Sequence, residues 1–551
     1  MPKLKRASFI LTTLVMIMSM VTGCGNQHSE ESSGYVDPTY NPFGKYEETI
    51  KIKGVMEYLA HNDSRVPSNI TPDNQKFITF LKDELNIEFE YMWKVPSSQY
   101  ENKLSGTMLS RKYPDILKVT ASQYANFKEE GILKDLTEAY KYASPDVKSF
   151  LERDQEVIEG LKDEDGKIYA IPQYEDTLRD VPVMYIRGDW LEDCNLTYPK
   201  TPDELKNVLK VFKEKKGATA GLALSKAYKG SYFTIDRYMQ MFGSNPFTWV
   251  DDGTGKLVAS ETTNNTKSAL AYLRNLYSEG LLAPDFASSD PSIVESNIKQ
   301  GKTGVILGPW WQYEYPLADL LPSQDWLSYP IPLAEGAKIV LPRQQIQYYY
   351  VVLKTCAYPE ALMKMINLYI ELDGKEGANA EDGYVWSWVP TQFYDPYDID
   401  TQFTQINEQL KTDPNAEGEA PSGWSAHAKK LWKSYPNYLK WKEDHGAVKF
   451  EANTFANIIG RVNEDGAWAA IRNTKSKNCF VYNEFYGVPT ESQNLYGGQM
   501  STHCEKYFTK VILKEANLDD DWTTFVQEWN KSGGEGCTEE INEWYAERKY
   551  F

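Results

Sequence analysis

Ile50-Lys51-Ile52-Lys53-Gly54-Val55-Met56-Glu57-Tyr58 opens the stretch that decides the fold: Ile50, Ile52, Gly54, Met56 and Tyr58 recur with the period of two that marks a strand. Thr71-Pro72 predicts a helix start, and Phe77, Phe80, Leu81 and Leu85 then fall on one helical face. Ile87, Phe89, Tyr91, Trp93 and Val95 alternate again, which makes Trp93 a core residue of a second strand. A helical stretch carrying Tyr100, Leu104 and Met108 leads to Asp115-Ile116-Leu117-Lys118-Val119, a third strand. The order βαβαβ predicts an α/β fold with a parallel sheet and right-handed crossovers. Such sheets bind ligands beyond the carboxyl ends of their strands. That topology nominates Asn62 and Asp63, beside His61, after the first strand, and Gln123, between Ser122 and Tyr124, after the third.

Upstream of this stretch, Met1–Cys24 has a basic start at Lys3, Lys5 and Arg6, an apolar run from Phe9 to Met20, and the ending Val21-Thr22-Gly23-Cys24. That is the layout of a secretory signal, too short to span a bilayer. A cysteine directly after Gly23 resembles a bacterial lipobox, so residues 1–23 are expected to be removed and Cys24 to carry the lipid. Stable attachment takes more than one acyl chain. Residues 24–48 read as the lipidated cysteine and a tether, with the polar run Gln27–Gly34 followed by the turn formers Asp37-Pro38 and Asn41-Pro42.

Downstream, helical and strand-like segments continue to alternate, and 551 residues at 41% hydrophobic and 25% charged are enough for two or three lobes with real cores. A formal charge of −19, more negative once the basic signal leaves, argues against nucleic acid or anionic lipid surfaces as partners. Cys194, Cys356, Cys479, Cys504 and Cys537 form no C-x-x-C pair, so one late disulfide or free buried thiols are expected and no metal or redox motif. No later apolar run is long enough to cross a membrane, so any transport needs partners. There is no G-x-S-x-G, H-E-x-x-H or P-loop, and with 78 acidic residues a glycosidase pair has no diagnostic weight without geometry. Nucleophile, zinc and phosphate chemistries therefore lack their usual signals, and no enzyme is expected.

Tyr113-Pro114-Asp115-Ile116, Gly166-Lys167-Ile168-Tyr169-Ala170-Ile171-Pro172, Arg187-Gly188-Asp189-Trp190-Leu191 with Pro199 to Leu205, and Gly301-Lys302-Thr303-Gly304 leading to Gly308-Pro309-Trp310 stand in the order found in family 1 extracellular solute-binding proteins. The resemblance spans most of the mature chain. Length, lipobox and the tail around Phe525–Asn530 and Glu540–Tyr545 look most like the long, LipO-like lipoprotein subgroup, with maltodextrin-binding proteins more distantly similar. It implies two α/β lobes joined by hinge strands over a ligand cleft: 49–180 with about 343–385, and about 181–342 with 386–551. It also implies an ABC importer's permeases and ATPase as partners, a monomer, and a place on the outer face of the bacterial cell membrane.

The aromatic content of 13% suits sugar rings, whose apolar faces stack on such side chains while their hydroxyls bond to polar groups, so the expected ligand is a carbohydrate, and an oligosaccharide before a monosaccharide. Trp310 resembles the tryptophan that stacks on sugar in maltodextrin-binding relatives, and Trp311 adjoins it. Trp386 and Trp388 have the spacing that places both on one side of an extended segment, as core or as cleft lining. The resemblance places Gln173, Tyr174 and Glu175 at the first crossing between lobes and Arg343 near the second. Some long relatives carry a calcium loop after the helix that begins near Thr201; here Lys213-Glu214-Lys215-Lys216 stands there, and neither Asp163–Gly166 nor Asp251–Gly253 has calcium-loop spacing, so no metal and no cofactor is expected. A peptide-binding or sensory lipoprotein and a surface glycoside hydrolase are the alternative readings.

Overall fold

The computed structural model describes residues 39–58 and 66–548, apart from Glu164, Ser231, Gln344, Gly374, Glu376, Gly377, Asn379, Glu381 and Val488. The alternation at Ile50, Ile52 and Met56 becomes β1 (Ile50–Tyr58), which pairs in parallel with β2 (Ile87–Pro96), Ile52 opposite Phe89. The helix between them spans Lys76–Leu85 and buries Phe77, Leu81 and Leu85. It starts later than Thr71-Pro72 suggests, because the Thr71 amide and hydroxyl both donate to Asn74 Oδ1, at 2.6 and 3.0 Å, and form a local turn. The expected helical stretch around Leu104 is Ser97–Leu109, and the third strand is β3 (Ile116–Val119). Two bonds between Lys53 and Asp115, each 2.8 Å, bring β1 alongside β3.

The chain completes this lobe with β4 (Ile171–Glu175) and crosses to β5 (Val183–Arg187). The second lobe holds the hairpin β6 (Trp249–Asp251) and β7 (Leu257–Ala259), then β8 (Val305–Gly308), β9 (Trp326–Pro330) and β10 (Ile339–Pro342). β5 lies between β8 and β9 and is antiparallel to both. The chain then returns as β11 (Gln345–Val352), which inserts antiparallel between β3 and β4, so that Tyr349 faces both Val119 and Pro172. A last strand, β12 (Phe480–Asn483), pairs in parallel with β10.

Each lobe has its own core. Ile52, Phe77, Leu81, Ile87, Val352 and Ile366 are fully buried in the first, and Tyr185, Phe212, Val305 and Ile306 in the second. Val389 and Phe393 still bury in the first core while Ile399 belongs to the second, so the third crossing lies between Phe393 and Ile399, beyond the expected boundary at about 385. Part of the expected tether is also structured. Tyr46 is buried and donates to Glu360 at 2.8 Å, Lys364 Nζ lies 4.4 Å over its ring and donates to the Gly44 carbonyl at 2.6 Å, and Asn367 Nδ2 donates to the Pro42 carbonyl at 2.9 Å. Tyr40 and Tyr46 give this segment apolar surface to bury against the helix Ala361–Leu372, which the Ser/Glu-rich run before it lacks. Met1–Cys24 and Gln27–Gly34 lie outside the described residues.

Two of the sequence motifs meet in the second core. A Cβ on Gly304 would fall 2.6 Å from Trp190 Cζ3 and 2.8 Å from Phe212 Cδ2, and both rings are held by their own edge-to-face contact at 5.2 Å. Gly304→Ala is therefore expected to destabilise the protein by about 1–3 kcal/mol through overpacking, read as a lower midpoint in chemical denaturation. No helix among the described residues is long and apolar enough to cross a membrane. The five described cysteines are free.

Candidate ligand cleft at the lobe junction

Three connections join the lobes: residues 176–182 after β4, the link from β10 to β11 that Arg343 begins, and residues 394–398. The first and third are tied by Gln173, whose Oε1 accepts the Tyr394 amide at 3.0 Å and whose Nε2 donates to the Tyr174 and Tyr394 carbonyls at 2.9 and 3.4 Å. Gln173 is wholly buried with both ends of its amide committed, so it joins crossings rather than facing a ligand. Tyr174 is also buried; its hydroxyl donates to the Phe150 carbonyl and its ring meets Tyr397 edge-on. Both expectations are corrected by the same cause, that β4 has core on both sides until its last residue.

Glu175, that last residue, reaches the edge. Its carboxylate accepts the Tyr394 hydroxyl at 2.6 Å and Gln347 Nε2 at 3.3 Å, and Arg179 Nη1 lies 3.5 Å away. Farther along the same edge Lys118 sits 3.8 Å from Glu57 and 4.9 Å over the Tyr348 ring. Trp388 is half-buried, and with Glu57, Tyr100, Lys118 and Gln392 it lines a cavity of about 70 Å³. Its segment Trp386–Trp388 is a turn of 3-10 helix, so the extended spacing expected of the pair does not apply.

From the second lobe β8 delivers Trp310. The ring is 6% exposed, with the guanidinium groups of Arg179 and Arg461 5.2 and 5.0 Å over it and Trp468 edge-on at 6.4 Å. Arg461 is itself held by Glu314 at 2.8 and 2.6 Å. The tryptophan expected to stack on sugar thus carries two arginines over its ring here. Trp311, half-buried, meets Tyr232 at 5.6 Å, and Tyr232 meets Tyr315, which is 41% exposed.

Two further expected site residues are committed elsewhere. Gln123 lies in the first turn of the helix Ala121–Glu129 rather than in a loop, and its amide accepts the Thr120 N–H at 3.0 Å and donates to Glu101 at 2.8 Å, completing a capping box. Arg343 forms a two-pronged pair with Glu484 at 2.9 and 2.7 Å beside Tyr482. Asn62 and Asp63 lie outside the described residues. Sequence reasoning missed Arg179, Tyr394, Gln347 and Lys118; the tyrosine run Tyr348-Tyr349-Tyr350 beside Gln347 was the available signal.

The edge therefore offers aromatic faces together with donors and acceptors, the chemistry that holds polyhydroxylated rings. Among the described residues no group of three or more His, Cys, Asp or Glu is placed to hold a metal. The acidic turns use their carboxylates on backbone amides, Asp163 on Asp165 and Lys167, and Asp251 on Gly253 and Gly255.

A second tie between lobes is ionisable. His427 Nδ1 lies 3.0 Å from Asp398 Oδ2 and its Nε2 lies 3.8 Å from Asp373 on the other lobe. Burial pulls the imidazole pKa down, and Arg461 adds to this, but the hydrogen bond and charge of Asp398 and the charge of Asp373 outweigh both and raise it above 6.5. Burial pushes Asp398 up, yet His427, Arg461 and Gln402 bring it below the ordinary value of 3.8. The histidine's contribution is complete below its unfolded pKa and is lost as pH rises through the raised one; the aspartate's is present above 3.8 and is lost on acidification. Stability is expected to fall as pH rises above 6.5, modestly because the imidazole is 37% exposed, and His427→Asn is expected to flatten that slope in denaturant titrations.

Two α/β lobes, three crossings and a polar-aromatic junction between them define a two-lobed, periplasmic-type binding protein. The sequence profile of bacterial extracellular solute-binding proteins matches residues 67–376, more than half of the chain, and the protein belongs to that family. Lipoprotein LipO of Bacillus subtilis is 29% identical over 303 residues, covering 53% of this chain and 55% of LipO. The polygalacturonan/rhamnogalacturonan-binding protein YtcQ of the same organism is 27% identical over 310 residues, covering 54% and 56%. The chain thus spans about half the length of these relatives. Among solved structures, the Streptococcus pneumoniae ABC-transporter substrate-binding protein FusA in complex with kestose superposes with a TM-score of 0.60 at 15% identity, covering 91% of this chain and all of FusA. The alginate-binding protein AlgQ2 gives 0.59 at 14%, covering 91% and 99%. These likenesses establish the fold.

Proposed function

We propose that the protein is an extracytoplasmic lipoprotein, anchored through Cys24, that captures a carbohydrate, an oligosaccharide before a monosaccharide, and delivers it to the permeases and ATPase of an ABC importer. The observation that carries this reading is the junction itself, where Trp310 and Tyr394 lie with Glu175, Gln347 and Arg179, while Trp388 and Lys118 line a cavity of the first lobe. Asn62 and Asp63, outside the described residues, are proposed as hydroxyl partners, with Trp311 extending the aromatic surface. The family and its relatives' names support binding in place of catalysis, and FusA and YtcQ carry carbohydrate ligands in their names.

Binding proceeds by closure. A sugar first meets one lobe, and hinge motion at the crossings then adds contacts from the other and excludes water. A ligand favours the closed form only through contacts made better there, so groups from both lobes must touch it together. Thermal unfolding of the intact chain against neutral oligosaccharides, uronates and peptides tests the reading, because a ligand of the native state raises the midpoint. A shift with one sugar family and no product by chromatography is the expected result. Product formation would replace it with a glycoside hydrolase, and a shift with peptides alone with a peptide binder.

A further inference from the structure

A cavity of about 950 Å³ opens in the second lobe, and every residue that lines it belongs to that lobe, so it is separate from the junction. Tyr228, Phe247, Trp249 and Met500 are among its apolar walls, and Lys229, Lys506 and Lys510 stand around it. In a chain of net charge −19 such a concentration of ammonium groups runs against the global sign. Lys506 and Lys510 stand one turn apart on the helix Glu491–Ile512, a like-charge spacing that disfavours the helix, and neither makes an ion pair among the described residues. Lys226, also at the cavity, is held by Asp290 at 2.8 Å, and Glu261 and Glu505 are the acids among its described lining residues.

The floor is built. Glu261 is 4% exposed and its Oε2 accepts the Phe247 amide at 2.9 Å. Phe247 sits at φ 67°, a left-handed conformation that a bulky residue adopts only where its surroundings enforce it. The buried carboxyl supplies that constraint and fixes the ring against the cavity. Burial also pushes the Glu261 pKa up.

We propose that this cavity is a second ligand site that takes a carboxylate-bearing sugar, its ring face against Phe247 and its carboxylate on Lys506 and Lys510. The volume matches a small-molecule site rather than an inorganic ion, and paired ammonium groups above an apolar wall suit an anion with an apolar face. The choice of a sugar rests on the proposed function; the anion site rests on the cavity alone.

Calorimetric titration of the intact chain with trigalacturonate at low ionic strength tests it. Lys506→Ala with Lys510→Ala is expected to weaken binding about tenfold or more, Lys506→Arg with Lys510→Arg to retain it, and Lys82→Ala, on the helix Lys76–Leu85 of the other lobe, to leave it unchanged. Both lysines are on a solvent-facing rim, and an unchanged melting midpoint verifies that the variants fold. Trigalacturonate binding that is insensitive to the lysines, or absent from the wild type, overturns the proposal, as does displacement by equimolar inorganic phosphate. If trigalacturonate binding depends on the lysines while no sugar of the thermal panel depends on Arg179, this inference stands and the junction reading falls.

Discussion

Trp310→Ala is expected to lower the free energy of unfolding by about 3–5 kcal/mol, the range for deleting a large aromatic from a packed site. The ring is almost buried, Trp468 meets its edge, and Arg179 and Arg461 lie over it. Removal leaves a void and strips the cation–π partner from two guanidinium groups that have little water to fall back on, each with a side chain less than a fifth exposed. Trp310→Phe keeps an aromatic face and is expected to recover a substantial part of the loss. Urea denaturation of both variants gives the comparison; a Trp310→Ala cost within error of zero would mean that the ring is not part of the fold's framework.

Arg179→Ala is expected to weaken ligand binding by about 1.5–3 kcal/mol, the scale of a hydrogen bond from a charged group. Arg179 lies in the first crossing and touches elements of both lobes: Glu175, the Tyr394 ring at 5.6 Å, and the Trp310 ring. Its Nε–H is buried and has no hydrogen-bond partner among the described residues. An unpaired buried donor costs free energy, and a sugar hydroxyl brought into the cleft removes that cost only in the bound state. Arg179→Lys offers a single ammonium in place of the planar fork and is expected to rescue poorly. Calorimetry with the sugar found by the thermal screen reads the effect, and equal affinities for wild type and Arg179→Ala would remove the residue from the site.

The alternating runs at Ile50–Tyr58 and Ile87–Val95 were legible because one face of each strand is buried and period two is a local property. The insertion of β11 between β3 and β4 was not, since Tyr349 finds Val119 and Pro172 across a stretch of chain that runs through the other lobe. The same limit applies to the junction. Glu175 was placed there by the first crossing, but whether Gln173 faced a ligand depended on Tyr394, 221 residues away. Arg343 could not be assigned without Glu484, 141 residues downstream. Gly304 was visible as part of a motif, whereas its reason, the rings of Trp190 and Phe212, required the fold.

Small-angle X-ray scattering of the intact chain, without and with a saturating amount of the sugar that gives the largest thermal shift, tests the central claim most directly. The account predicts a smaller radius of gyration in the bound state as the lobes close over the ligand. An unchanged radius at saturation, with binding verified in the same sample, would contradict it.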